Sequence, residues 1–376
     1  QQRSDLAIFF SGGVDSSLLL AKARKHKFNH LVAVTARFPG HRNPELERAT
    51  RIADYLGTEL RIVDVTDAFI KEYFPNLVWE LERPPTYLNG LARMRIYQDL
   101  MGQTEFLLSG EVADCVFGNE TLIGIAKYDQ KQDLLRLIPT RLRRVVKAIE
   151  VVLPADLARR TRYLLTKSTL DFVRDGTSLA ATAKSNQITA ADLVPALREE
   201  APVEFYEMFE PANNCSAIVL SQSRTLFTSN RNQIQTYNLL AAPFGLQVGF
   251  PFLSEEILRV GATIPDSYKF DRLGAKPILK KLTCRYIPAQ WVYGSKLGFS
   301  TPDSDWLSGP ISKWIKMLFE ERTLTRGLFV PTTLRWLSLE ADMELIISAI
   351  TLEVYLRQFF DPSAPKPPSP ELFAHC

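Results

Sequence analysis

The stretch LAIFFSGGVDSSLLLAKA, residues 6–23, decides the fold. Its first five residues, 6–10, form a continuous apolar run that predicts a buried strand, and apolar residues recur at helical spacing from Ser16 to Arg24. Two glycines and three serines lie within residues 11–17, where the strand turns into the helix. In this order, the strand and the glycine turn lead into the N-terminus of the helix. The free backbone N–H groups at that N-terminus attract phosphate. A plain glycine turn with an N-capping serine is the alternative.

The alternation of strands and helices continues beyond this stretch. The periodicity predicts three further strands and two further helices, at 31–36, 59–65 and 105–109 and at 44–56 and 87–101. Gly57 follows the first of those helices as a C-terminal cap. The order predicts an α/β fold with a doubly wound parallel sheet. From about Leu122 the strand signal disappears, which predicts a large helical C-terminal part.

The composition bounds the class of protein. A net charge of +3 is too small to indicate nucleic acid binding, so we expect no nucleic acid partner. The four cysteines form no CxxC pair and favour reduced thiols in a cytoplasmic protein. We find no apolar run of about 18 residues, so no transmembrane helix and no membrane partner are predicted.

Three loops should share one crevice. Ligands of open parallel sheets bind at the carboxyl ends of the strands, which brings together residues 11–17, 35–38 and 110–114. Asp15 is unexpected beside a phosphate unless a cation lies between them. A hard cation such as Mg²⁺ would bridge its carboxylate and the phosphate oxygens.

The motif SGGVDSS at residues 11–17 resembles the PP-loop of the ATP pyrophosphatases, which cleave ATP to AMP and pyrophosphate. The resemblance implies the adenine nucleotide alpha-hydrolase-like fold and the use of ATP and Mg²⁺. Four later segments are similar to the synthetase domain of asparagine synthetases: 38–66, 106–118, 250–282 and 287–307. The likeness runs from residue 6 to 307, with a poorly matched stretch at 122–210.

The resemblance implies a domain order and a role for individual residues. The order is a nucleotide-binding core at 1–121, a helical insertion at 122–210, a mostly helical part that completes the site at 211–360, and a proline-rich tail at 361–376. The residues implied to cradle pyrophosphate are Ser11, Gly12, Gly13, Ser16 and Ser17. Those implied to contact the nucleotide are Phe10, Val34, Ser109 and Gly110.

The remaining implied residues are charged. Asp15 and Asp114 would hold Mg²⁺, and Glu111 would deprotonate or orient an incoming amine. Lys296 would stabilise negative charge on the phosphates and the acyl transition state, and Lys276 is a further phosphate candidate. Bland alternatives exist for each: a helix cap or a lysine pair for Glu111, an N-cap for Asp114, and a solvated surface position for either lysine.

The chain departs from the family pattern on the acceptor side. The family's Gly-Ser before the aspartate is Val112-Ala113, its acidic residue after the aspartate is Cys115, and its later aspartate is Ser254. Aspartate as the substrate is therefore in doubt. The N-terminal glutaminase domain is also missing from the sequence, so we expect free ammonia, another amine, a separate glutaminase or a longer chain to supply nitrogen.

The insertion carries the one marked cluster of charge, nine Lys or Arg residues within 136–167. Such a helix more often has a solvated face than a docking role for RNA or an acidic partner. The sequence thus predicts an AMP-forming ligase that adenylates a small-molecule or peptide carboxylate and transfers the acyl group to ammonia or an amine. The alternatives are a β-lactam- or peptide-cyclising synthetase served by a carrier protein or precursor peptide, a tRNA-modifying PP-loop enzyme, and a non-catalytic nucleotide-binding subunit.

Overall fold

A computed structural model describes residues 5–26, 28–137, 164–166, 168–169, 216–294, 301–329 and 343–361. Several sequence predictions fall outside these ranges. They are the position of Lys296, almost all of the basic cluster at 136–167, and the proline-rich tail beyond 361. The predicted domain boundaries remain predictions.

A five-stranded parallel sheet forms the centre of the protein, in the order β3-β2-β1-β4-β5. Its strands are β1 Leu6–Phe9, β2 Leu31–Arg37, β3 Glu59–Asp64, β4 Phe106–Leu108 and β5 Gln247–Gly249. The register pairs Ile8 with Ala33 on one side and with Leu108 on the other. The predicted α/β class with a parallel sheet is confirmed.

Apolar cores cover both faces of this sheet. Along β1, Ala7 belongs to one buried cluster, while Leu6 and Ile8 belong to another on the opposite face. All three side chains are almost completely buried, as expected for a strand without a solvent face. Such a strand has no polar alternation, which is why its sequence is a continuous apolar run.

Helices make up most of the remaining described chain. They are α1 Val14–Ala23, α2 Leu46–Leu56, α3 Asp67–Leu81, α4 Asn89–Leu100, α5 Ala113–Phe117, α6 Glu120–Leu137, α7 Ala217–Thr225, α8 Arg231–Ala241, α9 Glu255–Thr263, α10 Pro277–Thr283, α11 Ala289–Val292, α12 Asp303–Ser308, α13 Ser312–Met317, α14 Glu321–Thr325 and α15 Met343–Phe360. A π-helical turn, Leu226–Asn230, joins α7 to α8. Within the described ranges, no helix has both the length and the apolar character needed to cross a membrane.

The prediction that strand structure ends near Leu122 is wrong. Strand β5 returns to the sheet and pairs with β4, and a small antiparallel hairpin follows, with β6 Phe270–Asp271 and β7 Gly274–Ala275. These strands have two or three residues each, too few to show a period of two. Strand β5 is stabilised by pairing with β4, and β6 and β7 by pairing with each other. The contact of β5 with β4 joins distant parts of the chain, so the local sequence does not show it.

The glycine turn packs directly on the next helix. Gly12 has a φ of +68°, and a Cβ built there would lie 2.9 Å from the backbone nitrogen of Ala49 in α2. Gly13 has a φ of −72°, and its nearest neighbour would be the Ser11 hydroxyl at 3.2 Å. Only the first glycine is therefore required by both conformation and space.

We predict that Gly12→Ala destabilises the protein by about 2–4 kcal/mol, because it adds backbone strain and pushes α2 away from the turn. Gly13→Ala is the matched control and should cost less than about 1 kcal/mol. Urea unfolding of both variants measures the difference. Equal effects would contradict the packing described for Gly12.

A buried carboxylate, that of Glu45, immediately precedes α2. Glu45 is 8% exposed, and its Oε1 atom has no hydrogen-bond partner among the described residues. Burial raises the pKa of Glu45 to about 7, and the nearby charge of Arg48 offsets part of the rise. Ionised Glu45 is thus a destabilising element near the site.

The stability of the protein should therefore fall as Glu45 ionises. At pH 4 both folded and unfolded chains hold its proton, and the loss develops as the pH rises from about 4.5 to about 7. Glu45→Gln cannot ionise, so its stability advantage over the wild type should grow through this range to about 2 kcal/mol and stay there at higher pH. Urea unfolding at a series of pH values measures the difference, with exposed Glu47→Gln as control. Parallel curves for wild type and Glu45→Gln would refute this account.

Candidate active site

The glycine turn is held by its own serines. The Ser11 hydroxyl accepts a hydrogen bond from the backbone nitrogen of Gly13 at 3.3 Å, and the Ser16 hydroxyl donates to the Gly13 carbonyl at 3.2 Å. Ser16 and Ser17 are buried in the first turn of α1. These contacts shape the residues that would cradle pyrophosphate into a compact turn at a helix N-terminus.

The loop after β4 packs against this turn. A Cβ built on Gly110 would lie 3.2 Å from the Cβ of Asp15 and 3.3 Å from the backbone nitrogen of Ser16. The adjacent Ser109 is buried, and its hydroxyl accepts from the backbone nitrogen of Glu111 at 3.2 Å. The sequence-predicted meeting of the two loops is thus observed.

Phe10 and Val34 meet through their backbones. The backbone nitrogen of Phe10 donates to the Val34 carbonyl at 2.8 Å. Both side chains are almost completely buried and belong to the cores on opposite faces of the sheet. Any contact they make with a nucleotide would therefore be through main-chain atoms or the edge of a side chain.

Lys276 links the two candidate metal ligands. Its Nζ atom lies 2.5 Å from Oδ2 of Asp15 and 2.7 Å from Oδ1 of Asp114. Burial disfavours the charged lysine, but the two carboxylates outweigh this effect and hold the pKa of Lys276 above its usual value. The residue is 7% exposed, so the alternative of a solvated surface lysine is wrong.

The β6–β7 hairpin determines where Lys276 lies. The backbone nitrogen of Lys276 donates to the carbonyl of Lys269 at 2.8 Å, and Lys276 adopts a left-handed φ of +60°. Pro277 then begins α10. A non-glycine residue in this conformation is held by its surroundings.

Glu111 lies on the same loop as Asp114. Its Oε1 atom accepts from the amide of Asn230 at 3.3 Å, at the end of the π-helical turn. Burial raises the pKa of Glu111, and the positive charge of Arg93 offsets part of this rise. Asn230 and Arg93 are site neighbours that the sequence did not reveal, because a lone polar residue in a helix carries no spacing signal.

The alternative of an N-cap role for Asp114 is wrong. Helix α5 begins at Ala113, so Asp114 lies inside its first turn and the N-cap position belongs to Val112. Val112 is buried and has a φ of +76°, which is strained for a β-branched residue. The family's glycine at this position would adopt the same backbone without strain.

A buried polar network supports the site from behind. The side-chain amide of Gln222 donates to the carbonyls of Cys115 and Val116, at 2.9 and 2.8 Å, and its oxygen accepts from Lys269 at 2.9 Å. Gly118 passes so close to Lys269 that an added Cβ would lie 2.1 Å from its carbonyl oxygen. The loop that carries Asp114 and the hairpin that carries Lys276 are therefore locked together.

The paired carboxylates fit a magnesium ion. Mg²⁺ is bound in nucleotide sites by one or two carboxylates with waters and phosphate oxygens, and both Asp15 and Asp114 reach one point at the sheet edge. Within the described ranges, no group of three or more His, Cys, Asp or Glu side chains could hold a metal by itself. Lys296 lies in the undescribed segment 295–300.

The fold and this site define a class of protein. A parallel sheet with a glycine turn at a helix N-terminus, paired carboxylates and a lysine at one edge is suited to a phosphate group and a divalent cation. The family model described as asparagine synthase matches residues 1–345, and the chain belongs to this family.

Curated relatives agree with this assignment. A provisionally named glutamine-hydrolyzing asparagine synthetase of Mycobacterium bovis is 25% identical over 83% of this chain and 48% of its own length. The glutamine-hydrolyzing asparagine synthetase 1 of Bacillus subtilis is 23% identical over 85% of this chain and 50% of its own length. The chain therefore spans about half the length of the curated relatives it matches.

Removing the Lys276 charge should leave the carboxylates of Asp15 and Asp114 to repel each other. We predict that Lys276→Met lowers the free energy of unfolding by about 2–3 kcal/mol, toward the lower end for a buried pair because Asp114 is half exposed. Adding Asp114→Asn should restore part of this loss by relieving the repulsion. Urea unfolding measures both steps.

The control is Lys281→Met, an exposed lysine of the same helix. It should change the free energy of unfolding by less than about 0.5 kcal/mol. A double variant less stable than Lys276→Met alone would show that repulsion between Asp15 and Asp114 is not the cause.

Proposed function

We propose that this chain is the synthetase domain of an amide-forming ligase that activates a carboxylate with ATP. The carboxylate attacks the α-phosphorus, which gives an acyl adenylate and pyrophosphate, and ammonia or an amine then displaces AMP. The sheet would be a doubly wound PP-loop sheet of the adenine nucleotide alpha-hydrolase-like type. Family membership supports a ligase, and the AMP-forming chemistry is our proposal.

One observation carries the proposal. Asp15 in the first turn of α1 and Asp114 in the first turn of α5 meet at a single ammonium group, that of Lys276. Two carboxylates beside a phosphate-type turn suit a bound cation rather than a bare phosphate. Lysine and metal together would offset the charge of a triphosphate.

Each residue then has a task in the first half-reaction. Ser11, Gly12, Gly13, Ser16 and Ser17 would cradle the pyrophosphate moiety. Asp15 and Asp114 would hold Mg²⁺, which when bound neutralises charge on the phosphate oxygens. The ammonium of Lys276, displaced from the carboxylates by the greater charge of the metal, would turn to a phosphate oxygen. Lys296 would act on the phosphates and on the acyl centre.

Glu111 would serve the second half-reaction. Its raised pKa and its position next to the Asp114 loop suit a carboxylate that receives a proton from an amine. Asn230 would keep the carboxylate oriented through the 3.3 Å hydrogen bond. A general base in this position is expected to matter for amide formation and not for the release of pyrophosphate.

The nitrogen source and the acyl donor are open choices within the proposal. Both relatives are named as glutamine-hydrolyzing, and a separate glutaminase could serve this chain if ammonia is the acceptor. A carrier protein or precursor peptide would instead indicate a cyclising or peptide-modifying synthetase. A cytoplasmic location and a lack of nucleic acid partners are part of the same proposal.

The direct test is a screen for pyrophosphate release with ATP, Mg²⁺, a panel of carboxylates, and ammonia or other amines. With the active carboxylate, Asp15→Ala should reduce release to background, because the cation loses a ligand. Asp54→Ala, an exposed aspartate of α2, is the control and should behave like the wild type.

Glu111→Gln separates the two halves of the reaction. It should keep carboxylate-dependent exchange of pyrophosphate into ATP and slow amide formation by about 10²- to 10⁴-fold. Full activity of Asp15→Ala would overturn the metal assignment. Equal loss of exchange and amide formation in Glu111→Gln would overturn its role as the base.

A further inference from the structure

Two buried polar atoms beside Glu111 have no hydrogen-bond partner within the described ranges. They are Nη1 of Arg93, on α4, and Oδ1 of Asn230, at the end of the π-helical turn. Arg93 is 7% exposed and Asn230 is 6% exposed. Folded proteins rarely leave buried polar groups unpaired, and an unpaired charged donor is especially costly.

The guanidinium of Arg93 is held by two contacts. Its central carbon lies 3.9 Å from the ring centroid of Tyr237, and Nη2 donates to Oε1 of Gln233 at 3.3 Å. Tyr237 is itself held edge-on by Phe9 and Phe250. Arg93 therefore cannot swing to solvent without losing these contacts, and its remaining donor group stays in place.

Asn230 owes its position to a rare backbone feature. The turn Leu226–Asn230 is π-helical and interrupts the path from α7 to α8. Such turns are rare in helices and occur frequently at functional sites. Here the turn ends at the residue whose amide contacts Glu111.

These three groups offer complementary chemistry. Nη1 of Arg93 is a charged donor that suits an anionic oxygen, whereas Oδ1 of Asn230 and the carboxylate of Glu111 suit N–H groups. Ammonia would satisfy only the second half of this set. An amine that also carries a carboxylate would satisfy all of it.

We propose that Arg93, Asn230 and Glu111 form the site for the acyl acceptor and that this acceptor is an amino acid. Its carboxylate would bind Nη1 of Arg93, and its amine would donate to Asn230 and Glu111. The amine would then attack the acyl carbon, AMP would leave with the bonding electrons, and the amine proton would pass to Glu111. This assignment rests on the proposed function for its chemistry, but not for the binding it requires.

Binding is therefore tested without turnover. Titration calorimetry with the full chain would compare the common L-α-amino acids, and the best of them with its own carboxamide, which lacks only the anionic group. Arg93→Gln should weaken binding of the amino acid by about 10- to 100-fold and leave binding of the carboxamide nearly unchanged. Arg93→Lys should recover part of the preference for the amino acid over its carboxamide. Asn230→Leu should weaken the binding of both ligands.

The control is Arg95→Gln, on the same helix but part-exposed beside Asp99. It should bind like the wild type. Absence of amino acid binding to the wild type, or equal loss of amino acid and carboxamide in both Arg93 variants, would overturn the assignment. Unfolding curves confirm that each variant is folded before it is titrated.

The two proposals fail separately. If amino acids bind through Arg93 but no carboxylate supports pyrophosphate release, the acceptor site stands and the proposed reaction falls. If amides form from ammonia alone and amino acids neither bind nor react, the reaction stands and the acceptor site falls.

Discussion

The ammonium of Lys276 lies between the carboxylates of Asp15 and Asp114, at 2.5 and 2.7 Å, and it ties together three distant parts of the chain. Asp15 belongs to the turn after β1, Asp114 to the helix after β4, and Lys276 to the start of α10. Because the contact needs all three, the C-terminal part of the chain must return to the sheet. Strand β5 and the β6–β7 hairpin accomplish this return.

The same contact determines the balance of charge in the site. The carboxylates of Asp15, Asp114 and Glu111 lie at one edge of the sheet, and the positive charges that face them are those of Lys276 and Arg93. Burial alone would lower the pKa of Lys276. Its pKa is raised because attraction by the two carboxylates outweighs the effect of burial. In the proposed function, this excess of carboxylates would hold a divalent cation, which would offset the negative charge of a bound triphosphate.

The sequence predicted those features that depend on neighbouring residues. The apolar run before the glycines located β1, and Gly57 marked the end of α2, where its φ is +61°. The sequence could not show β5, because three residues become a strand only by pairing with β4. Nor could it show that Lys276 is buried, because the local sequence does not distinguish an exposed lysine from one that lies between two aspartates.

The sequence could not predict the proposed acceptor residues Arg93 and Asn230 for a related reason. Arg93 and Asn230 are single polar residues in helices, and only the packing of α4 against α8 and a π-helical turn brings them to Glu111. Val112 was recognised as a departure from the family pattern, but its φ of +76° became apparent only in the structure. The loop that carries Glu111 and Asp114 thus holds strain beside the groups that would do the chemistry.

The central claim is that Lys276 and a divalent cation exchange places at the paired carboxylates when nucleotide binds. A crystal structure with α,β-methylene-ATP and Mn²⁺ tests it, because the anomalous signal of manganese locates the metal. The account predicts a manganese peak bonded to both Asp15 and Asp114, with the Lys276 ammonium moved to a phosphate oxygen. Nucleotide bound with Lys276 still between the carboxylates, or manganese bound elsewhere, would contradict it.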